Sequence, residues 1–379
     1  MKKRNSNGMG SIRQRSDGRW EARYSTPDGR QRSVYGRTEA EASKKLRTQL
    51  HAIDMEQWRE PSRMTVEEWL AIWMRDYQGH TTRQTRRTYE IILRSAIAPV
   101  IGELKLSALL PLHVRRVITT MIDRELSASY ISIAKAIMHA AFKAAIESGI
   151  IKTNPADGIK TPRKQAKKYT IVDREQIPAF IAAANDTTYG LAVIFLLLTG
   201  LRCGEQRALK WQDVDLDAGE IYVRHQLMLI DHKPTFTPPK DGAARQIHIT
   251  PEAVSILRQQ KKVLAEHRIA AGPSWQTGPV LDDLVFRTSS GGYLNHRAIY
   301  DAVHLVGQRI GLPDLHPHDL RHSYAVAALR SGVDVKTVQH NLGHKTASMT
   351  LDTYAAYTTD AGKVGAEKLS EYLQNALKK

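Results

Sequence analysis

The sequence predicts a multidomain, mainly α protein with small β parts. It should hold a three-stranded sheet plus helix at the front, a wholly helical block, then a mixed α/β domain. Three observations predict this. Strand-like alternation is confined to residues 11–37 and a short stretch after residue 220. Helical apolar spacing with cap signals fills most of the rest. A Pro-, Gly- and Lys-rich segment at 154–169 (NPADGIKTPRKQAKKY) interrupts the periodicity as a linker would. The expected divisions are 1–60, 61–160 and 161–379.

At the front, turn signals at Ser16-Asp17-Gly18 and Pro27-Asp28-Gly29 separate three short strands. Trp20, Ala22 and Tyr24 share one face of the middle strand, and Arg19, Glu21 and Arg23 the other. Thr38 and Glu41 then read as a capping box opening a helix to about Met55. In the next block Thr65 and Glu68 form a second capping box, with Trp69, Leu70, Ile72 and Trp73 on the buried side. A helix over Thr82–Ile97 carries Arg83, Arg86 and Arg87 before Pro99 ends it. Further helices fit Pro111–Glu125 and Ser129–Ser148, the last closed by Gly149. From Asp173 onward helices dominate. Strands fit Glu220–Arg224 and Arg245–Ile249, with Asp241-Gly242 as their hairpin turn. Thr250-Pro251 starts a helix as N-cap followed by proline.

Charge narrows the function class. The 379 residues carry 55 Lys+Arg against 39 Asp+Glu, a net charge of +16. Residues 1–60 hold 14 against 8, residues 61–168 hold 18 against 9, and residues 169–379 hold 23 against 22. The excess sits in the first half, where a polyanion would be gripped. Arg13, Arg19, Arg23, Arg83, Arg86 and Arg87 are the candidate DNA contacts, and a solvated basic face is the blander alternative. No basic amphipathic anchor supports a membrane partner instead. A single cysteine, Cys203, excludes an intramolecular disulfide and suits a reducing compartment. The start, MKKRNSNGMGS, has no apolar core of a signal peptide, and the longest apolar run, Leu191 to Leu198, is too short to span a bilayer. A cytoplasmic protein is expected.

Three segments and a loop carry the candidate chemistry. In LLLTGLRCGEQRALKW (196–211) an apolar helix stops at Thr199-Gly200 and Arg202 emerges at once, a rigid mount for a guanidinium that binds phosphate in a fork. Pairing with Glu205 is the structural alternative. In LHPHDLRHSYAVAAL (315–329) His318 and Arg321 are three apart and share a helical face. His316, His318 and His322 offer a metal site as a weaker alternative, since no cysteine or clear acid ligand accompanies them. In HNLGHKTASMTLDTYAAY (340–357) Leu342-Gly343 ends a short helix and places His344 at the turn. A second helix then carries Tyr354 and Tyr357. A tyrosine is a weak nucleophile unless neighbouring cations favour its phenolate. Lys240, in PPKDGAARQIHI (238–249), sits where a loop ammonium could deliver a proton, with Lys233 as rival.

The stretches TGLRCGE (199–205), PPKDGAARQIHI (238–249), HPHDLRHSYA (316–325) and LGHKTASMTLDTYAAY (342–357) together resemble the tyrosine recombinases, most of all the phage and conjugative-transposon integrases. The resemblance spans 170–357. More loosely, the helical block is similar to that family's core-site binding domain, and the front sheet to its arm-site binding domain. It implies Arg202 and Arg321 as phosphate arginines, Lys240 as the hairpin lysine, and His318 as the proton-handling histidine. His344 would be the second histidine, Tyr354 the nucleophile and Glu205 a supporting acid. Ala355-Ala356-Tyr357 departs from the Ser-His that many members carry after the nucleophile, which makes Tyr357 a decoy. The implied activity is site-specific cutting and rejoining of double-stranded DNA through a 3′-phosphotyrosyl link, without cofactor or metal. The implied partners are core and arm DNA sites, three further protomers, and accessory DNA-bending or directionality proteins. The tail Ala366–Leu377 has helical apolar spacing suited to docking on its own body or a neighbour. A type IB topoisomerase and a non-enzymatic DNA-binding regulator are the rival readings.

Overall fold

The computed structural model describes residues 10–27, 29–54, 63–163, 169–231, 233–240 and 244–347, with Leu351, Ser370 and Gln374. The chain divides into two compact units, Met1–Lys164 and Gln165–Lys379.

The first unit opens with an antiparallel sheet, β1 (Ser11–Gln14), β2 (Trp20–Ser25) and β3 (Gln31–Gly36), in that spatial order. In the register Ala22 faces Ile12 on one side and Val34 on the other. Ala22 and Tyr24 bury against Ala42 and Leu46 of α1 (Glu39–Asp54), a core of its own. The expected capping box is present in modified form. Thr38 Oγ1 accepts from Glu41 N at 3.2 Å, while the Glu41 carboxylate accepts from Arg37 N at 2.9 Å.

Five further helices share a second core: α2 (Val66–Asp76), α3 (Arg83–Ile92), α4 (Ala98–Ile101), α5 (Pro111–Asp123) and α6 (Ala128–Glu147). Thr65 and Glu68 cap α2 reciprocally, as their spacing requires. Trp69 and Trp73 are each 2% exposed, and the Trp69 indole donates to Ala141 O at 2.8 Å. An indole buried with its donor satisfied contributes apolar area without an unpaired polar group.

Two expectations fail here. Pro99 does not end a helix. Residues Leu93–Ile97 form a π turn, in which Ala98 N–H reaches Leu93 O, and the chain continues as α4. Proline has no N–H to offer the carbonyl four residues back, and that carbonyl, Ser95 O, accepts instead from Arg124 Nη1 at 2.9 Å. The second concerns 154–163, expected as the start of a linker. Asn154, Pro155, Ala156 and Ile159 are buried, and Ala156 and Ile159 belong to the helical core. Asn154 Nδ2 donates to His139 O at 3.0 Å, and its Oδ1 accepts from Ala156 N at 3.0 Å. Charge and proline content mark the segment as irregular, but irregular backbone still packs when its few apolar residues face a helix.

The second unit contains α7 (Ile177–Asn185), α8 (Gly190–Thr199), α9 (Cys203–Arg207), α10 (Pro251–Ala271), α11 (His296–Arg309), α12 (Pro317–Arg330) and α13 (Val335–Leu342). Its strands are β4 (Val214–Asp215), β5 (Glu220–Val223), β6 (Gln226–Ile230), β7 (Lys233–Thr237) and β8 (Arg245–His248). The apolar helix α8 is central, with Val193, Ile194, Phe195 and Leu196 at or below 1% exposure. A helix apolar on every side has to be enclosed, and α7, α10, α11 and α12 enclose it. Strands β4, β5 and β8 form one antiparallel sheet in that order. Thr250 caps α10 ahead of Pro251 as expected.

The hairpin differs from expectation. The strands predicted at Glu220–Arg224 and Arg245–Ile249 do pair, as β5 and β8, but a separate hairpin of β6 and β7 stands between them. Its turn passes through Asp231, whose φ is 49°, so Lys233 lies beside a tight turn. Pro234 argues against a strand inside a sheet, yet it is tolerated where, as here, the sheet has two strands and both are edges. Lys240 follows β7, in the connection to β8; Asp241 and Gly242 lie outside the described residues.

Candidate active site

The site is organised by the end of α13. A helix C-terminus leaves its last carbonyls without intrahelical partners and carries the negative end of the helix dipole. Three consecutive carbonyls here are taken by three arginines from three different segments. Arg245 Nε donates to Asn341 O at 2.9 Å, Arg321 Nη2 donates to Leu342 O, and Arg202 Nη2 donates to Gly343 O at 3.0 Å. Gly343 has φ 61°, the left-handed close of the helix that its sequence position anticipates, and His344 follows at once. His344 N donates to Gln339 O at 3.0 Å, and its own carbonyl accepts from Gln339 Nε2 at 3.1 Å.

Arg202 is mounted as its sequence context suggests. α8 ends at Gly200 with φ 64°, and Arg202 is the N-cap residue of α9. Its side chain is 18% exposed, and Nη1 donates to Glu205 Oε1 at 2.9 Å. Glu205 is a shared counter-ion. Its Oε1 also accepts from Arg245 Nη1 at 3.1 Å, and its Oε2 accepts from Arg245 Nη2 at 2.7 Å and Arg202 N at 3.1 Å. Burial on its own would push the Glu205 carboxyl up; the Arg245 fork and the charges of Arg245 and Arg202 overcome this and hold it below the usual carboxylate range.

Arg321, 1% exposed, is fixed from behind: Nη1 donates to Gly200 O at 2.9 Å. Gly200 thus joins the two phosphate-arginine candidates, and the ring of Tyr324 closes on it. A Cβ built at Gly200 would lie 2.5 Å from Tyr324 Cδ1, in a backbone conformation that side chains resist. Gly200→Ala is expected to cost about 2–3 kcal/mol of stability, read as a lower denaturant midpoint of the full chain. An unfolding free energy within about 0.5 kcal/mol of the parent, roughly the noise of a surface change, would refute the close packing.

A cavity of about 380 Å³ opens beside this turn. Arg202, Arg245, Lys336, His340, His344 and Lys345 line it, with Pro239, Ala244, Gln339 and Gly343. No acid is among the described residues that line it. Arg202 and His344, two of the residues singled out from sequence, therefore meet in one cation-walled groove. Arg321 shares the turn but does not line the groove. His318 is exposed on the first turn of α12, edge-on to His322 at 4.7 Å between ring centroids, with the Tyr169 ring tilted against His322 at 3.8 Å. Lys240 is exposed beside the lining Pro239. Tyr354 and Tyr357 lie outside the described residues, as does most of Ala366–Leu377. Among the described residues, no group of three or more His, Cys, Asp or Glu is placed to hold a metal ion, and no helix is long and apolar enough to cross a membrane.

Sequence reasoning missed Arg245. It was legible only as the first residue of a strand, and nothing local marks the acid it pairs with 40 positions earlier. Reading Glu205 as a supporting acid was the available clue, since a buried carboxylate between Arg202 and the interior calls for a second cation.

The second unit's sequence matches the phage integrase family over residues 170–360, just over half of the chain. The chain belongs to the phage integrase family. Residues 65–122 match the N-terminal SAM-like domain of phage integrases. A prophage phiRv2 integrase of Mycobacterium tuberculosis is 27% identical over 366 residues, 92% of each chain. The ICEBs1 integrase of Bacillus subtilis is 27% identical over 61% of this chain and 62% of its own. In fold, this integrase-family chain is similar to the Tn1549 transposon integrase solved with a circular intermediate DNA, with TM-score 0.68 and 21% identity over 81% of this chain and 99% of that one. It is also similar to a lambda integrase dimer bound to a core site, with TM-score 0.58 and 17% identity over 93% and 96%. The mainly helical fold with small sheets, expected from sequence, is the fold of these integrases.

The front arginines are placed around acids. Arg13 and Arg23 converge on Glu21, with Arg13 Nη2 at 2.7 Å and Arg23 Nε at 3.2 Å. The Ser33 hydroxyl and these arginines hold the Glu21 carboxyl down at about 2. Arg19 folds onto Asp17 at 2.6 Å. On α3, Arg86 pairs with Glu90 at 3.5 Å, and Arg83 and Arg87 are exposed.

Proposed function

We propose that this phage integrase family member is a site-specific recombinase that cuts and rejoins DNA strands to integrate or excise a mobile element. The observation that carries the reading is the cation-walled groove in which Arg202 and His344 meet at the arginine-capped end of α13. Arg202 and His344 hold the scissile phosphate and stabilise the charge that grows on its non-bridging oxygens. Arg321, buried behind the same turn, adds its charge and fixes the turn. Tyr354 attacks phosphorus in line, His318 accepts its proton, and Lys240 protonates the departing 5′ oxygen. The phosphate ends as a 3′-phosphotyrosyl ester. A 5′ hydroxyl of the partner duplex attacks this ester and releases the tyrosine. One phosphoester replaces another, so bond energy is conserved and no cofactor is consumed.

The division of labour follows the charge. Residues 1–60 bind arm sites through Arg13, Arg19 and Arg23, residues 61–160 bind core sites through Arg83, Arg86 and Arg87, and residues 161–379 carry the chemistry. Four protomers act on two duplexes. A lambda integrase tetramer has been seen on a Holliday junction, which supports that stoichiometry here. Accessory DNA-bending or directionality proteins accompany the arm-binding mode.

The test is incubation of the full chain with a nicked suicide substrate bearing its attachment site, followed by mapping of the peptide left on the DNA. A denaturant-resistant adduct on the peptide that contains Tyr354 is expected. Binding without any adduct would replace the recombinase reading with that of a DNA-binding regulator.

A further inference from the structure

We infer that Arg245 is a positioning residue for strand cleavage, one that keeps Arg202 net cationic toward the scissile phosphate. The inference rests on the recombinase reading and adds a residue to it. Arg245 is 8% exposed and opens β8; its Nη atoms grip both oxygens of Glu205, and its Nε holds Asn341 O.

The charge balance gives the reason for that grip. Glu205 bonds Arg202 through Oε1, and an isolated Arg202–Glu205 pair would be neutral where an anion has to bind. With Arg245 also on Glu205, the three side chains carry a net single positive charge. Glu205 then orients Arg202 without cancelling it. Arg245 lies on the inner side of the carboxylate, with a side chain 5% exposed against 18% for Arg202, so the surplus charge is presented by Arg202. A lysine could supply the charge but not the two-pronged geometry on Glu205 together with the third bond to Asn341.

Two further contacts make Arg245 the tie between parts of the groove. Through Asn341 it holds the helix end that presents His344. Its guanidinium also packs against Gly343 so closely that a Cβ there would lie 2.9 Å from Nη1. As the first residue of β8 it also anchors the connection that carries Lys240. The groove lining includes both Arg245 and Ala244 just before it. Arginine, helix end and lysine-bearing connection therefore share one fixed point.

The experiment compares the full-length parent with Arg245→Lys and Arg245→Met in single-turnover adduct formation on a nicked suicide substrate. Each is run with an ordinary scissile phosphate and with a neutral methylphosphonate in its place. On phosphate, Arg245→Met should slow adduct formation on the order of 100-fold and Arg245→Lys roughly 10-fold, with DNA affinity within about threefold of the parent. On methylphosphonate, which carries one negative charge fewer in both the ground and the pentavalent state, the gap between parent and Arg245→Met should shrink to a few-fold. Parent-like rates for both variants, or a deficit equal on the two substrates, would overturn the proposal, because a purely structural role predicts the latter. Arg245→Lys keeps the test decisive if Arg245→Met does not fold. A parent chain that itself forms no adduct would overturn the recombinase reading, and this proposal with it.

Discussion

Tyr354→Phe is expected to abolish covalent capture of DNA, by on the order of 10⁴-fold or more, while leaving affinity for the attachment site within about twofold. The substitution removes one oxygen and keeps the ring, so packing and charge are unchanged and only the nucleophile is lost. The surviving binding is what makes the result specific, since the cations of the groove and of the front half remain in place to hold phosphate. Adduct is measured by denaturing electrophoresis after a single turnover, and affinity by titration at fixed salt. Tyr357 is the control. Tyr357→Phe should keep most of the activity, and an adduct that survives Tyr354→Phe but not Tyr357→Phe would move the chemistry three residues along.

Glu205→Ala should have the largest effect on stability of any change in the site, on the order of 3–5 kcal/mol. It strips the counter-ion from two guanidiniums at once, one of them buried, and leaves their charge without a partner in a poorly solvated place. Calorimetric or denaturant unfolding of the second unit within the full chain reads it directly, and a loss below about 1 kcal/mol would mean the ion triad is offset elsewhere. The same carboxylate predicts acid sensitivity. Its folded-state pKa is depressed, so its contribution is complete above the ordinary glutamate value and is lost as pH falls through the lower, folded value. Glu205→Gln should therefore unfold more easily than the parent at neutral pH, and the difference should narrow as the parent is taken into acid. A difference that stays constant from neutral pH down into acid would rule out that linkage.

What could be read from sequence was whatever chemistry is local. Thr65 with Glu68, Thr250 with Pro251, and the glycines at 200 and 343 act within a single turn, and each does in the fold what its spacing says. The run at 191–198 had to be an enclosed helix because no surface helix is apolar all round. What escaped depends on partners far along the chain. The π turn before Pro99 works because Arg124 supplies a donor 29 residues away. The β6–β7 hairpin survives Pro234 because, among the described residues, no third strand claims that edge. Arg245 earns its place only when Glu205 and Asn341 arrive from either side. Of the site proper, Arg202 and His344 were legible through the turns that mount them, whereas the burial of Arg321 and the exposure of His318 depend on how α12 packs.

The three carbonyls at 341–343 carry a consequence for biosynthesis. Their arginines lie at 202, 245 and 321, so every one of them is translated before the backbone atoms that orient it. A ribosome-bound chain would lack this common anchor for the three guanidiniums until about nine-tenths of the polypeptide had been made. An enzyme able to break chromosomes would thus acquire its competence last, and truncated translation products should bind DNA yet leave it uncut.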